Sequence, residues 1–206
     1  MNTRFTEPQA RPAVLSRCRA CHSQDLMLVL AMGDHPPANM FIRPEDRGKP
    51  QPAFPLNAQA CLDCGLLQVA DQVPADFFTN YLYVPSGAAA MHDHFAGLAK
   101  VAVARAGSGE DAGLIVDIGC NDGLMLSHAN ALGGRTLGID PAANIARLAA
   151  GRGVRVLTRF FNIETACDVL ASEGPARVIT ATNTFNHIDD LHSFCRGVLA
   201  VLEEDG

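Results

Sequence analysis

Four of the seven cysteines stand in two C-x-x-C pairs, Cys18 with Cys21 and Cys61 with Cys64. That spacing makes a tight turn pointing two sulfurs into one volume. Two such turns supply four thiolates at tetrahedral spacing, the donor set that suits Zn2+. Four sulfurs leave no open position for water, so the expected metal is structural. His22, beside Cys21, is an alternative ligand; with four cysteines at hand it is expected at the surface. A redox dithiol is the competing use, but redox C-x-x-C motifs occur singly in a βαβ context. Cys120, Cys167 and Cys195 lie in apolar sequence and read as small buried hydrophobes.

The second chemical signal is VDIGCNDG (116–123), a buried strand running into a glycine turn and a helix. A nicotinamide-dinucleotide fingerprint has the form G-x-G-x-x-G. Here Asn121 stands at the second glycine and Leu124 at the third, and Asp122 would repel a pyrophosphate. A ligand without phosphates suits the turn better, and S-adenosylmethionine, with an amino-acid end and a cationic sulfur, is such a ligand. Gly119, Asn121, Asp122 and Gly123 are the expected cofactor contacts from the turn. Asp117, at the end of the strand, either holds the ligand's ammonium or caps the turn; we expect the ligand contact. Asp140 closes the next strand, where an acidic side chain can accept both ribose hydroxyls of an adenosine. A third candidate region, TNTFNHIDD (182–190), ends the fourth strand of the second half, where open α/β sheets place ligands. Asn183 and His187 are its candidates. His187 is either a base titrating near neutrality or a bystander to a helix cap made by Asn186 or Asp189.

The elements that position these residues follow from the pattern. The 206 residues are 48% apolar and 18% charged, which excludes a disordered chain. Net charge is −6, which argues against nucleic acid as the main partner. The apolar run Leu26–Met32 is too short for a bilayer. MNTRFTEPQARP carries no signal-like apolar stretch, so a cytoplasmic protein is expected, and the odd cysteine count argues against a disulfide framework. PAVLS, LMLVLAMG and GLLQVAD read as strands around the proline-rich stretch Pro36–Pro55, and HFAGLAKVAVARA reads as a helix. From LIVDI (114–118) onward, strands at 136–140, 154–158 and 176–182 alternate with helices at Pro141–Ala150, Glu164–Ala171 and Leu191–Leu202. Alternation of this kind means a doubly wound parallel sheet. The expected α/β organisation is a zinc domain at 14–75, a helical bridge at 76–106 and a cofactor-binding sheet at 107–206. Four strands are the first part of the usual open sheet, so the chain is expected to be an N-terminal portion of a longer arrangement.

The combination resembles the S-adenosylmethionine-dependent C-methyltransferases of nucleotide-linked deoxysugar biosynthesis. The resemblance is carried by CRAC, GDHPPANMF, CLDCGLLQVAD, FFTNYLYVPSG, VDIGCNDG, GIDPAANIA and ATNTFNHIDDL, in family order. It implies an N-terminal four-cysteine zinc domain, with Cys18, Cys21, Cys61 and Cys64 as ligands, joined to a class I, Rossmann-like methyltransferase domain. It places Gly119, Asn121, Asp122 and Asp140 around the cofactor. Near the sugar it places His187 and a tyrosine of YLY, Tyr83 or Tyr81. Read without the family, both tyrosines are packing residues, and His92 and His94 face solvent. The family also carries a tyrosine–histidine–glutamate–histidine cluster after its fifth strand and a C-terminal domain, both beyond Gly206. The function implied is methyl transfer to the carbon α to a keto group of a nucleotide-linked ketosugar, by a protein expected to be monomeric. The alternative is a zinc-stapled module that binds a nucleotide sugar or a protein without catalysis.

Overall fold

The structure is a computed structural model and describes residues 14–206. The N-terminal residues read for a secretory signal, and Pro12 and Ala13 of PAVLS, lie outside the described residues. The chain divides into two compact units, one ending at Phe77 and one beginning at Phe78.

In the first unit, strands β1 (Leu26–His35), β2 (Phe54–Cys61) and β3 (Leu67–Val69) form an antiparallel sheet in the order β1-β2-β3. The register runs from Leu26 opposite Cys61 to His35 opposite Phe54. The central strand β2 is the one the sequence hides, because FPLNAQAC carries a proline and small or polar residues in place of an apolar alternation. Pro55 is tolerated because β3 pairs only Ala58–Ala60, so β2 is an edge at that end. Two buried glutamines of this sheet tie down the segment leading into Cys18. Gln59 donates to Leu15 O at 3.2 Å; Gln68 donates to Arg17 O at 3.2 Å and accepts from Arg19 N at 2.9 Å. Of PAVLS, Val14 makes only a single bridge, to Asp71.

In the second unit, helix α1 (Ala89–Ala106) precedes a repeating alternation. Its elements are β4 (Leu114–Ile118), α2 (Leu124–Ala131), β5 (Arg135–Ile139), α3 (Ala143–Gly151), β6 (Val156–Leu157), α4 (Ile163–Glu173), β7 (Ala176–Thr180) and α5 (Leu191–Val201). The sheet is parallel, in the order β6-β5-β4-β7. All five residues of β4 are buried, and its four apolar side chains divide between two cores. Leu114, Val116 and Ile118 join Leu137 and Ile139 against Val169, Phe194 and Val201 of α4 and α5. Ile115 faces Ala99 and Ala102 of α1 and Met125, Leu126 and Ala129 of α2. The stretch read as a bridge thus enters the second unit as α1, through a stripe of buried alanines.

Successive strands step outward from β4 through β5 to β6, and the chain then returns to place β7 on β4's other side. The strand order reverses there, so the crevice that open α/β sheets use for ligands lies at the carboxyl ends of β4 and β7. Two expected boundaries shift. The strand expected at 154–158 shrinks to Val156–Leu157, paired only with Gly138 and Ile139. Pro141 stands ahead of α3, which begins at Ala143 because Asp140 Oδ1 captures the amide of Ala142 at 2.9 Å.

Candidate functional site

The two C-x-x-C segments fold into the same turn. In each, the first cysteine's amide donates to the carbonyl five residues on: Cys18 to Ser23 at 2.8 Å, Cys61 to Leu66 at 2.9 Å. Its carbonyl accepts from the residue after the second cysteine: His22 at 3.0 Å, Gly65 at 2.9 Å. Those two residues take left-handed backbones, φ 62° and 76°. His22 therefore stands at a turn position that Gly65 fills without a side chain, and it is exposed. The four sulfurs lie within 4.8 Å of one another, Cys18 to Cys64 at 3.6 Å and Cys21 to Cys61 at 3.5 Å. Zinc–sulfur bonds of about 2.3 Å in a tetrahedron put the sulfurs about 3.8 Å apart, so the cluster fits the ion. Burial raises the Cys18 thiol, but the amides of Cys21 and Ala20 together with the thiols of Cys64 and Cys21 more than offset it and hold the group down to about 7. Against the Ser23 amide, burial and the neighbouring thiols push Cys21 up to about 12, and Cys64 is raised as well, so of these three Cys18 is the thiol that ionises first. Of the other cysteines only Cys120 is buried. Cys167 and Cys195 are exposed, against expectation, because they fall on the outer faces of α4 and α5.

The turn after β4 is closed on itself. Gly119 and Cys120 donate to Ile139 O at 2.7 and 3.3 Å, and Gly123 donates to Cys120 O at 3.0 Å. Asn121 N donates to Asp140 Oδ2 at 3.0 Å, and Asp122 N to Asn121 Oδ1 at 2.7 Å. Every amide from Gly119 to Gly123 therefore already has an acceptor within the chain. A pyrophosphate is held by donated amides, and this turn has its amides engaged. Beside it stand the buried carboxylates of Asp117, which accepts from Thr180, and Asp140, which accepts from the amides of Asn121 and Ala142.

Both glycines serve packing. At Gly119, φ +73°, a Cβ would stand 2.1 Å from Thr184 Oγ1; at Gly123, φ +71°, it would meet Ala149 and Val154 at 3.0 and 3.1 Å. Asp122, expected beside the cofactor, is fully buried with its carboxylate on Arg152 at 3.3 Å. Asp117 accepts a 2.6 Å hydrogen bond from Thr180 Oγ1. Burial, then the nearby Asp140, push Asp117 up to about 7 against the opposing Thr180 bond. Burial also raises Asp140, against the amides of Ala142 and Asn121 that lower it. Two carboxylates this reluctant to ionise make a region where a cation is electrostatically welcome.

Around the crevice, Asn183 is exposed in a left-handed backbone, φ 54°, just past β7. His187 is exposed in a short 3-10 turn, its Nε2 3.2 Å from Asn186 Nδ2 and its ring 5.7 Å from that of Phe78. The cap of α5 is made by neither Asn186 nor Asp189: Asp190 accepts from Ser193 N at 2.8 Å. Tyr83 is exposed, and its carbonyl accepts from Asn121 Nδ2 at 3.1 Å, so the structure joins this candidate to the turn through backbone. Tyr81 is half-buried. His94 is exposed as expected, whereas His92 is half-buried, bonded to Ser86 O at 3.1 Å and edge-on to His128. Sequence reasoning missed Thr180, Thr184, Phe78 and Asn144. Asn144 lay inside the quoted GIDPAANIA segment, but nothing in its spacing marked it.

A parallel sheet with two buried carboxylates beside its strand-order reversal, in a chain that also carries a four-sulfur cluster, defines a two-part architecture. Residues 18–78 match a family described as "Putative zinc binding domain" and residues 91–206 one described as "Methyltransferase domain". The chain belongs to the methyltransferase-domain family, and its four clustered cysteines are a structural zinc site. The sequence is similar to that of the C-methyltransferase NovU of Streptomyces niveus, 33% identical over 193 residues, covering 93% of this chain and 46% of that one. The chain thus spans about half the length of the curated relative it matches. Among solved structures it is similar to CalS10, an amino pentose methyltransferase from Micromonospora echinaspora, at 22% identity and a TM-score of 0.42, over 60% of this chain and 54% of that one. It is also similar to DesVI of Streptomyces venezuelae, at 14% identity and a TM-score of 0.41, over 56% and 48%. No helix among the described residues is long and apolar enough to cross a membrane.

Proposed function

We propose that this chain is the donor-binding part of a C-methyltransferase that moves a methyl group from S-adenosylmethionine to the carbon α to a keto group of a nucleotide-activated sugar. The observation that carries the reading is the closed turn: its amides are engaged within the chain, and beside it stand the buried carboxylates of Asp117 and Asp140. A ligand rich in donors and positive charge suits that surface; a pyrophosphate does not. Asp140 has one amide on each oxygen and keeps lone pairs for ribose hydroxyls. Asp117, with Gly119, Asn121, Asp122 and Gly123 shaping the turn, faces the ammonium and sulfonium end, and Asn183 borders the crevice from β7. When bound, S-adenosylmethionine supplies an electrophilic methyl on a cationic sulfur.

In this reading the chain's own groups prepare the acceptor. His187 accepts the proton from the sugar carbon, leaving the electron pair on the enolate, and the hydroxyl of Tyr83 donates to the enolate oxygen. The sugar nucleotide as acceptor rests on the resemblance of the motifs alone; the C-methyltransferase NovU supports carbon as the atom methylated. The odd cysteine count, with four of the seven in the metal cluster, supports a cytoplasmic setting, and the net charge of −6 supports a small-molecule partner over nucleic acid. A monomer is part of the same reading.

Titration calorimetry of the zinc-loaded chain with S-adenosylhomocysteine tests the donor site. Saturable one-to-one binding, with no competition from NADH, is expected; absence of binding to a folded chain would overturn the reading. Incubation with S-adenosylmethionine and a ketosugar nucleotide, read by mass for one added methylene, tests the acceptor.

A further inference from the structure

One side chain outside the expected site joins the two halves of that proposed chemistry. Asn144, in the first turn of α3, pairs with the peptide of Tyr81 in both directions: Tyr81 N donates to Asn144 Oδ1 at 3.1 Å, and Asn144 Nδ2 donates to Tyr81 O at 2.6 Å. Two residues on, Asn121 Nδ2 donates to Tyr83 O at 3.1 Å. Farther on, Arg152 Nη2 donates to Ser86 Oγ at 2.6 Å while also holding the buried Asp122. The segment from Tyr81 to Ser86 is therefore fastened at three points, to the start of α3, to the turn after β4 and to the residue closing α3.

The first two fasteners converge on one carboxylate. Asp140 Oδ2 holds the amide of Asn121, and Oδ1 holds the amide of Ala142, the residue that caps α3 just ahead of Asn144. A group that contacts Asp140 therefore acts on both supports of the segment that carries Tyr81 and Tyr83. We infer that residues 81–86 form a strap and that Asn144 is a positioning residue, which registers the tyrosines against the donor site through Asp140. The inference rests on the cofactor reading for the identity of the ligand, but the anchoring of the strap does not.

The test is hydrogen–deuterium exchange of the full chain, with and without S-adenosylhomocysteine, in the unaltered protein and in Asn144→Ala and Asn144→Asp. Without ligand, Asn144→Ala should speed exchange in peptides covering 81–86 by about tenfold, the scale of one good hydrogen bond, with β4 and β5 unchanged. Asn144→Asp, which keeps the acceptor for Tyr81 N and loses the donor, should fall between. In the unaltered chain the ligand should slow exchange in the strap, and Asn144→Ala should remove that protection and weaken binding about tenfold. Unchanged strap exchange in both variants, or a rise spread evenly over the second unit, would overturn the anchoring. Ligand binding without strap protection would overturn the coupling. Failure of the unaltered chain to bind would remove the cofactor reading and the coupling with it, while the ligand-free exchange still decides the anchoring. Should Asn144→Ala not fold, Ser86→Ala, which removes only the Arg152 fastener, should loosen the end of the strap at residue 86 ahead of Tyr81.

Discussion

Thr180 donates its hydroxyl to Asp117 at 2.6 Å across the join between β7 and β4, where the two residues are direct partners in the parallel ladder. The bond sits at the place where strand order reverses. It spends the only polar group of β7 that meets Asp117 in the ladder, and it leaves that carboxylate with one compensating donor in a buried setting. One hydrogen bond does not replace the hydration of an ion.

Stability should therefore depend on pH through Asp117. Burial first, and the charge of Asp140 second, push the group up from 3.8 to about 7 in the folded chain. The folded state holds this proton more tightly than the unfolded one, so the stability it contributes is complete below about pH 4 and lost as pH rises through about 7. A shift of this size corresponds to about 4 kcal/mol when the loss is complete. Urea unfolding of the ligand-free chain between pH 4 and 8 should show the fall, and Asp117→Asn should reduce it, leaving the part that belongs to Asp140, which burial also raises. An unchanged slope in Asp117→Asn would assign the proton elsewhere.

Asp140 holds two amides from different segments, and that makes its replacement severe. Asp140→Ala leaves the amides of Asn121 and Ala142 without their acceptor, at a cost of about 1–3 kcal/mol for each that stays buried. Asp140→Asn keeps one acceptor oxygen and turns the other into a donor facing an amide. Both should lose S-adenosylhomocysteine affinity by more than tenfold in calorimetry. Asn should unfold at a higher urea concentration than Ala. Equal binding by Asp140→Asn and the unaltered chain would remove Asp140 from the ribose.

Gly119 is required by its neighbour as much as by its backbone. Gly119→Ala adds a Cβ 2.1 Å from Thr184 Oγ1 on a residue at φ +73°. A loss of about 2–4 kcal/mol is expected from clash and left-handed strain together. Thr184→Ala in the same chain removes Oγ1 and Cγ2 but leaves Cβ 3.0 Å away, so it should restore only part of the loss. A double-mutant cycle by thermal melting measures the coupling. Additive effects would mean that Thr184 moves aside freely and that the backbone conformation alone demands the glycine.

The contrast between what was readable and what was not follows from range. The four cysteines, the strand–turn–helix at 114–131 and Asp140 at the end of β5 are local patterns, set by spacing within a few residues. β2 was hidden because its pairing with β1 is long-range and its residues are chosen for hydrogen bonding, Gln59 above all, with little to show in apolar alternation. Gly119 and Gly123 were readable as necessary, but the reason, Thr184 in one case and Ala149 with Val154 in the other, lies in packing between distant segments. Asn144, Arg152 and Thr180 carry contacts 63, 66 and 63 residues away, which no local pattern announces. The reading of Cys167 and Cys195 as core failed because a cysteine on an amphipathic helix takes whichever face its phase gives it.

The zinc site makes the sharpest prediction for the first unit, because its four ligands differ in burial. Cys18 and Cys61 are each 1% exposed, whereas Cys21 and Cys64 lie at the surface. Replacing an exposed ligand by serine lets water complete the tetrahedron. Replacing a buried one leaves a vacancy that water reaches only by opening the turn. Cys21→Ser and Cys64→Ser should therefore retain zinc with weakened affinity, and Cys18→Ser and Cys61→Ser should lose it. Metal content after dialysis against a graded chelator series checks the order. Structural zinc in small folds supplies about 10–16 kcal/mol, more than a three-stranded sheet with β1 largely exposed provides for itself. Chelation of the unaltered chain should accordingly release exchange protection across β1 to β3. Protection that survives complete removal of the metal would show that the glutamine-bonded sheet holds the unit alone.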